Sequence, residues 1–169
     1  MVSEMTLHFG YGSNLWFEQM NSRCPDNIRK GKGILKNYKW IIAQRQGKTP
    51  AANIIVSEED FVEGYVFELS PNDEKRLDVS EGMANQSIGY DKINLNIEFG
   101  LEYKSCMVYI DKNNVEHVRD EAKKRVNEQK WRCSVGCECT YASRINKGVI
   151  DAGMSETYVK KYIRKFIDE

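Results

Sequence analysis

Ile93, Leu95, Ile97 and Phe99 fall on alternate positions, and Gly100 separates them from a second extended run over residues 101–110. A period of two places these four side chains on one face of a strand, and the glycine marks a turn between the pair. Such a hairpin has an apolar face that must be covered. The chain supplies more strand character in Leu7, Phe9 and Tyr11, then over residues 38–43, 52–56 and 62–69. It also supplies helices. Residues 15–22 read as a short helix with Ser13 or Asn14 as its N-cap and Pro25 beyond its end. Ser70-Pro71-Asn72-Asp73 is a helix start, with a serine cap, proline at the first helical position and an acid three residues after the cap. That helix stops near Val79, before the glycine of Glu81-Gly82. Val115, Val118, Ala122 and Val126 form a narrow apolar stripe at helical spacing. Residues 155–167 carry Tyr158, Val159, Tyr162, Ile163, Phe166 and Ile167 on one face of a last helix. Strands joined by short turns with helices inserted predict an α+β fold, a small mixed β-barrel or strongly curled sheet with surrounding helices. An open mixed sheet is the alternative. No linker or repeat divides the chain, and its 169 residues suit a single domain over 1–169.

Charge excludes some functions. The 25 Lys+Arg balance the 25 Asp+Glu, so neither nucleic acid nor an anionic membrane is expected as a partner. The longest apolar run, residues 40–43, is far short of the ~20 residues of a membrane span. Met1 to Thr6 shows no basic segment followed by an apolar core, and the five cysteines are an odd number. Reduced thiols in a cytoplasmic setting are therefore expected. Cys133 and Cys137 loosely fit one metal-binding pair, near Cys139 and downstream of His117, but no second pair follows. No metal is expected; the cysteines read as small buried or reactive thiols. Neither His8 nor His117 has a Ser or Cys partner at a spacing that suggests a nucleophilic triad. The mixed charges of residues 119–125 read as a solvated helix face.

The stretch Phe9-Gly10-Tyr11-Gly12-Ser13-Asn14-Leu15 is the most informative chemically. A strand that ends in glycine and opens a helix leaves several backbone N–H groups pointing into one space, which suits a carboxylate, a phosphate or a developing oxyanion. A dinucleotide fingerprint would need glycine where Leu15 stands. A serine-hydrolase elbow would need glycine at both Tyr11 and Leu15. An ordinary strand-to-helix turn with an Asn cap stays open.

Tyr11-Gly12-Ser13-Asn14-Leu15 resembles the signature of the γ-glutamylcyclotransferase family, also called the AIG2-like superfamily. Two further blocks agree with it: Glu81-Gly82 just after a helix with Tyr90 following, and Tyr141, Ile145, Gly148, Gly153 and Met154, the last standing where leucine is usual. The three blocks span residues 7 to about 163 in the right order. The connection between about 110 and 141, with its charged helix and cysteine cluster, is longer than the family pattern.

The resemblance implies an intramolecular reaction in which the α-amine of a γ-glutamyl compound attacks its own γ-carbonyl. A five-membered lactam, 5-oxoproline, closes and the attached amine leaves. Glu81 is the catalytic residue implied, first base and then acid. The turn at Gly12, Ser13 and Asn14 would hold the substrate's carboxylate or the tetrahedral oxygen. Tyr11, Leu15, Tyr90 and Tyr141 complete the expected substrate-binding set. No metal, flavin or nucleotide cofactor is called for. The expected partner is a small γ-glutamyl substrate, and a homodimer is left open. The competing reading is a non-catalytic module that holds a small carboxylate or a partner protein on the same fold; an acid at position 81 argues for the enzyme. Within the enzyme class, γ-glutamylamines and glutathione compete with γ-glutamyl amino acids, and the YGSNL block sits best with the last.

Overall fold

The computed structural model describes residues 4–45, 48–82 and 89–169; Met1 to Ser3 of the expected leaderless start lie outside it. The first strand, β1 (Thr6–Gly10), runs into a 3₁₀ turn (Ser13–Leu15) and a short helix, α1 (Phe17–Arg23). Two long strands follow, β2 (Ile28–Ala43) and β3 (Ala51–Leu69), then α2 (Pro71–Ser80) and the hairpin β4 (Asp91–Phe99) and β5 (Glu102–Ile110). The last third holds α3 (Asp120–Glu128), the short strands β6 (Lys130–Arg132) and β7 (Glu138–Thr140), and α4 (Tyr141–Asp151). A single helical turn, α5 (Glu156–Tyr158), passes into a π-helical turn over Val159–Ile163.

β1 to β5 close into a barrel in the order β1-β3-β2-β4-β5. All pairings are antiparallel except the closing one, where β1 meets β5 in parallel at His8 and Met107. The expected barrel is therefore the observed one. Its strands bury both faces at one end. Val66 faces the main core with Phe9, Ile54, Ile97 and Val108, while its neighbour Phe67 faces a second core with Met20, Leu69, Leu77 and Met107. The alternation that defines a strand thus serves two cores, which is why residues 65–69 read as nearly continuous apolar sequence. Among the described residues, no helix is long and apolar enough to cross a membrane.

Several boundaries differ from the sequence expectation, each for a physical reason. Residues 52–56 and 62–69 belong to one strand. The polar Ser57-Glu58-Glu59-Asp60 between them is a bulge opposite Asn37, pinned by the Ser57 hydroxyl donating to Asp60 (2.5 Å) and the Tyr162 hydroxyl donating to the same carboxylate (2.6 Å). Asn14 and Ser13 do not cap the first helix: the α-helical residues begin at Phe17, and Trp16 precedes them without a side-chain cap. The stripe from Val115 to Val126 is helical only from Asp120. His117 bridges Ala43 and the Val118 N–H donates to Ile42, so this stretch extends the barrel edge before the helix starts. The last helix keeps its expected buried face but is wound as a π-turn over its middle. α4 has no counterpart among the expected helices, because Ser143, Asn146 and Gly148 dilute its helical signal.

α2 begins and ends as expected. The Ser70 hydroxyl accepts from the Asp73 N–H, Pro71 occupies the first turn, and Gly82 has φ +72° just after the C-cap residue Glu81. The helix therefore fixes where Glu81 leaves it. Ser70→Ala removes this cap and is expected to cost about 1 kcal/mol of stability. A denaturant midpoint unchanged from the parent would show that the cap contributes nothing.

Candidate active site

The end of β1, the 3₁₀ turn, the C-terminus of α2 and the start of α4 meet around one small cavity. Tyr11, Gly12, Ser13, Asn14, Glu81, Tyr90 and Tyr141 all line it, together with His8, Ala52 and Tyr109. Residues as far apart in the chain as His8 and Tyr141 are gathered by the barrel closing at its β1 edge. Leu15 stands apart from them. Its side chain is buried beneath α4, and its N–H is taken by the Gly12 carbonyl (3.1 Å), so it packs the turn and does not face the cavity.

The turn presents donors. Leu15 and Trp16 donate their N–H groups back to Gly12 and Ser13 (3.1 Å each), while those of Gly12, Ser13 and Asn14 meet no acceptor among the described residues. These are the free donors of a helical start, on three residues that line the cavity. The tyrosines sort by polarity. The Tyr11 hydroxyl donates to the Tyr109 carbonyl (2.6 Å) and the Tyr90 hydroxyl to the Ala52 carbonyl (2.8 Å), which leaves each with only acceptor capacity. Tyr141 is the reverse: its oxygen accepts from the Ala52 N–H (2.9 Å), so its proton remains to donate. Two tyrosines thus hold the backbone of one residue, Ala52, through the two peptide groups that flank it.

Glu81 is the half-buried acid of the site. Asn14 Nδ2 donates to its Oε1 (3.1 Å). The orientation of that amide is fixed from behind, because Asn14 Oδ1 accepts from Arg23 Nη1 (2.8 Å) and Gln19 Nε2 (3.2 Å), so its nitrogen must face Glu81. Gln19 is itself held by Arg144 Nη1 on its Oε1 (3.2 Å) and donates to the Ser13 hydroxyl (2.9 Å). Asn14 is thus a relay between cations and the carboxyl group. Burial is the largest influence on Glu81 and raises its pKa above the ordinary carboxylate range; Arg23, the Asn14 bond and Arg45 pull against it without reversing it.

His8 was not among the expected site residues. Its Nδ1 lies 3.1 Å from the Met107 carbonyl and so must carry the proton, while its buried Nε2 has no partner. Burial lowers the His8 pKa to about 4, which keeps the ring neutral at pH 7 and Nε2 an acceptor. Gln19, Arg23 and Arg144 were also missed. Gln19 and Arg23 lie at i and i+4 on α1, one face of a helix immediately after the turn, a spacing that places both side chains beside Asn14.

The profile described as "Gamma-glutamyl cyclotransferase, AIG2-like" matches residues 8–133, and the chain belongs to that family. A bovine (Bos taurus) gamma-glutamylcyclotransferase is 29% identical over 112 residues, 63% of this chain and 59% of the bovine protein. The match thus spans under two thirds of that relative's length. Among solved structures, one named gamma-glutamyl cyclotransferase superposes with a TM-score of 0.75 at 23% identity, covering 98% of this chain and 89% of its own. An uncharacterized human protein gives 0.74 at 24% identity with the same coverage. A yeast gamma-glutamyl cyclotransferase specific to glutathione gives 0.61 at 14% identity over 98% of both chains. At these identities the structures establish a shared fold.

Proposed function

We propose that this chain is a cofactor-independent γ-glutamylcyclotransferase that converts a γ-glutamyl amino acid or γ-glutamyl amine to 5-oxoproline and the free amino acid or amine. The observation that supports it most is that Glu81 lines the same cavity as Gly12, Ser13 and Asn14 and accepts a hydrogen bond from Asn14 Nδ2 (3.1 Å). Negative oxygens of the substrate suit the N–H side and the Tyr141 hydroxyl. An ammonium group suits Glu81, the Tyr90 oxygen and His8 Nε2, all of which accept and line the cavity.

In this mechanism Glu81 takes a proton from the substrate's α-ammonium, and the freed nitrogen attacks the γ-carbonyl. The new N–C bond closes the ring. The old C–N bond breaks as Glu81 returns the proton to the departing nitrogen. The ring nitrogen gives up its second proton to the released amine, which leaves as an ammonium, so protons and charge balance and no water is consumed. A raised pKa makes Glu81 a better base than an ordinary carboxylate and a readier donor in the second step. Folding the substrate so that its own amine lies on its carbonyl supplies much of the rate, since tethered attack reaches effective molarities of ~10⁵–10⁸ M. A cytoplasmic setting belongs to the same reading and is supported by the five free thiols.

The test is a panel of γ-glutamyl amino acids, γ-glutamylamines and glutathione assayed for 5-oxoproline with the purified full chain. Release is expected from at least one γ-glutamyl amino acid or amine, and it should fall away on the acid side as Glu81 gains its proton. Silence across the panel would leave the non-catalytic binding module as the better account.

A further inference from the structure

The cysteine hairpin lies outside the cavity, and its geometry is unusual. β6 and β7 pair in register, with Trp131 opposite Cys139 and Arg132 opposite Glu138. The turn between them is closed by the Cys133 N–H donating to the Cys137 carbonyl and the Gly136 N–H donating to the Cys133 carbonyl, 2.9 Å each. This brings the Cys133 and Cys137 sulfurs to 2.9 Å, and the three Sγ atoms of Cys133, Cys137 and Cys139 lie within 4.8 Å of one another. All three are free thiols.

We propose that Cys133, Cys137 and Cys139 bind zinc, or another thiophilic divalent cation, through three thiolates with solvent in the fourth position. Tetrahedral zinc with Zn–S of ~2.3 Å sets its sulfurs about 3.8 Å apart. The hairpin meets that spacing once Cys133 and Cys137 spread by about 0.9 Å. Cys133 and Cys139 are buried against Trp16 and Val135, whereas Cys137 is exposed, so the cation has one dry side and one open to water. Three thiolates on a divalent cation leave one net negative charge. Lys147, whose ammonium lies 4.5 Å above the Trp16 ring, stands close enough to Cys137 to offset it. Each thiol gives up its proton on binding, so uptake weakens as pH falls.

A disulfide between Cys133 and Cys137 would use two of the sulfurs, require an oxidant, and leave Cys139 aimed at the same point with no partner. Three convergent sulfurs are what a cation needs. From sequence the single pair at Cys133 and Cys137 argued against a metal; the third ligand is supplied by the hairpin register. The family match ends at Cys133, so Cys137 and Cys139 lie beyond the matched residues. Its position is structural. Trp16 closes the 3₁₀ turn, and Thr140, directly after Cys139, caps α4 through the Ser143 N–H (3.0 Å).

The test uses the full chain, reduced and handled without air, titrated with Co²⁺ and then with Zn²⁺. About one equivalent of Co²⁺ per chain should bind, with thiolate-to-cobalt charge transfer and the visible bands of tetrahedral cobalt, and Zn²⁺ should displace it. Cys137→Ser and Cys139→Ser should each weaken binding by more than about tenfold, while Cys106→Ala, outside the cluster, should leave it unchanged. Zinc should raise the melting temperature of the parent and not of Cys137→Ser. Absence of uptake by the reduced chain, octahedral cobalt without thiolate bands, or affinity in either serine variant equal to the parent's would each overturn the proposal. None of these readouts involves turnover, so failure of the cyclotransferase reading leaves the result intact.

Discussion

Glu81→Gln is expected to lower 5-oxoproline release by about 10²–10⁴-fold, toward the upper end because one carboxyl group serves both proton transfers. The substitution is close to isosteric. Glutamine keeps an oxygen for Asn14 Nδ2, so the relay from Arg23 through Asn14 has its acceptor and the cavity keeps its shape. What is lost is the ability to take and return a proton. Stability moves the other way. Burial raises the Glu81 pKa, so the folded chain holds this proton more tightly than the unfolded one. Stability from the protonated form is present below the unfolded value of ~4.3 and is lost as pH rises through the higher folded value. At pH 7 the ionised group is therefore a cost, and glutamine should melt no lower than the parent. In the parent, activity should decline with falling pH sooner than for an ordinary glutamate, because the base must be ionised. Near-parental turnover by Glu81→Gln would remove Glu81 from the chemistry, whereas a lowered melting temperature would assign it a structural role.

Much of this arrangement was legible before any coordinates. The alternation at Ile93–Leu95–Ile97–Phe99 and the Ser70-Pro71 helix start are local signals, set by side-chain period and capping chemistry, and both survive into the fold. The turn at Gly12 and the acid at Glu81 were found because each carries a short motif. What was not legible depends on distant partners. Nothing local says that Asn14 forgoes capping a helix: its amide is claimed by Arg23, Gln19 and Glu81, and only the last is far away in sequence. Leu15 belongs to the same motif as Asn14, yet the next helical position points the opposite way, into the packing under α4. His8 looks like any strand histidine until β5 brings the Met107 carbonyl to its Nδ1 and fixes the tautomer. The Ser57–Asp60 run has the composition of a turn and becomes a bulge because β2 continues past it on the other side. In each case tertiary pairing overrode a local preference.

The second large effect is expected at Gly148, which sequence offered only as a spaced glycine after Tyr141. It lies within α4, where the helix crosses the 3₁₀ turn. A Cβ built there would come within 2.7 Å of Leu15 Cβ, 2.9 Å of the Leu15 carbonyl carbon and 2.9 Å of the Trp16 nitrogen. Two of these three neighbours are backbone and cannot rotate aside. Gly148→Ala must therefore push the turn from the helix by roughly 1 Å, since close-packed interiors hold no slack to absorb it. Overpacking of this kind costs about 1–3 kcal/mol. Helix propensity opposes it, because alanine is favoured over glycine by about 0.8–1 kcal/mol inside a helix. The net expectation is a lower melting temperature. The larger consequence is functional, because the displaced segment carries the free N–H groups of Gly12, Ser13 and Asn14, and a 1 Å misplacement can cost ~10²-fold in rate. Glu81 keeps its place at the end of α2, although the bond it accepts from Asn14 Nδ2 moves with the turn, so kcat should fall while an acid-side decline in rate remains. If Gly148 merely occupied an ordinary helical position, alanine would stabilise the chain and leave turnover untouched. The two accounts differ in sign, and one thermal melt with one rate measurement separates them.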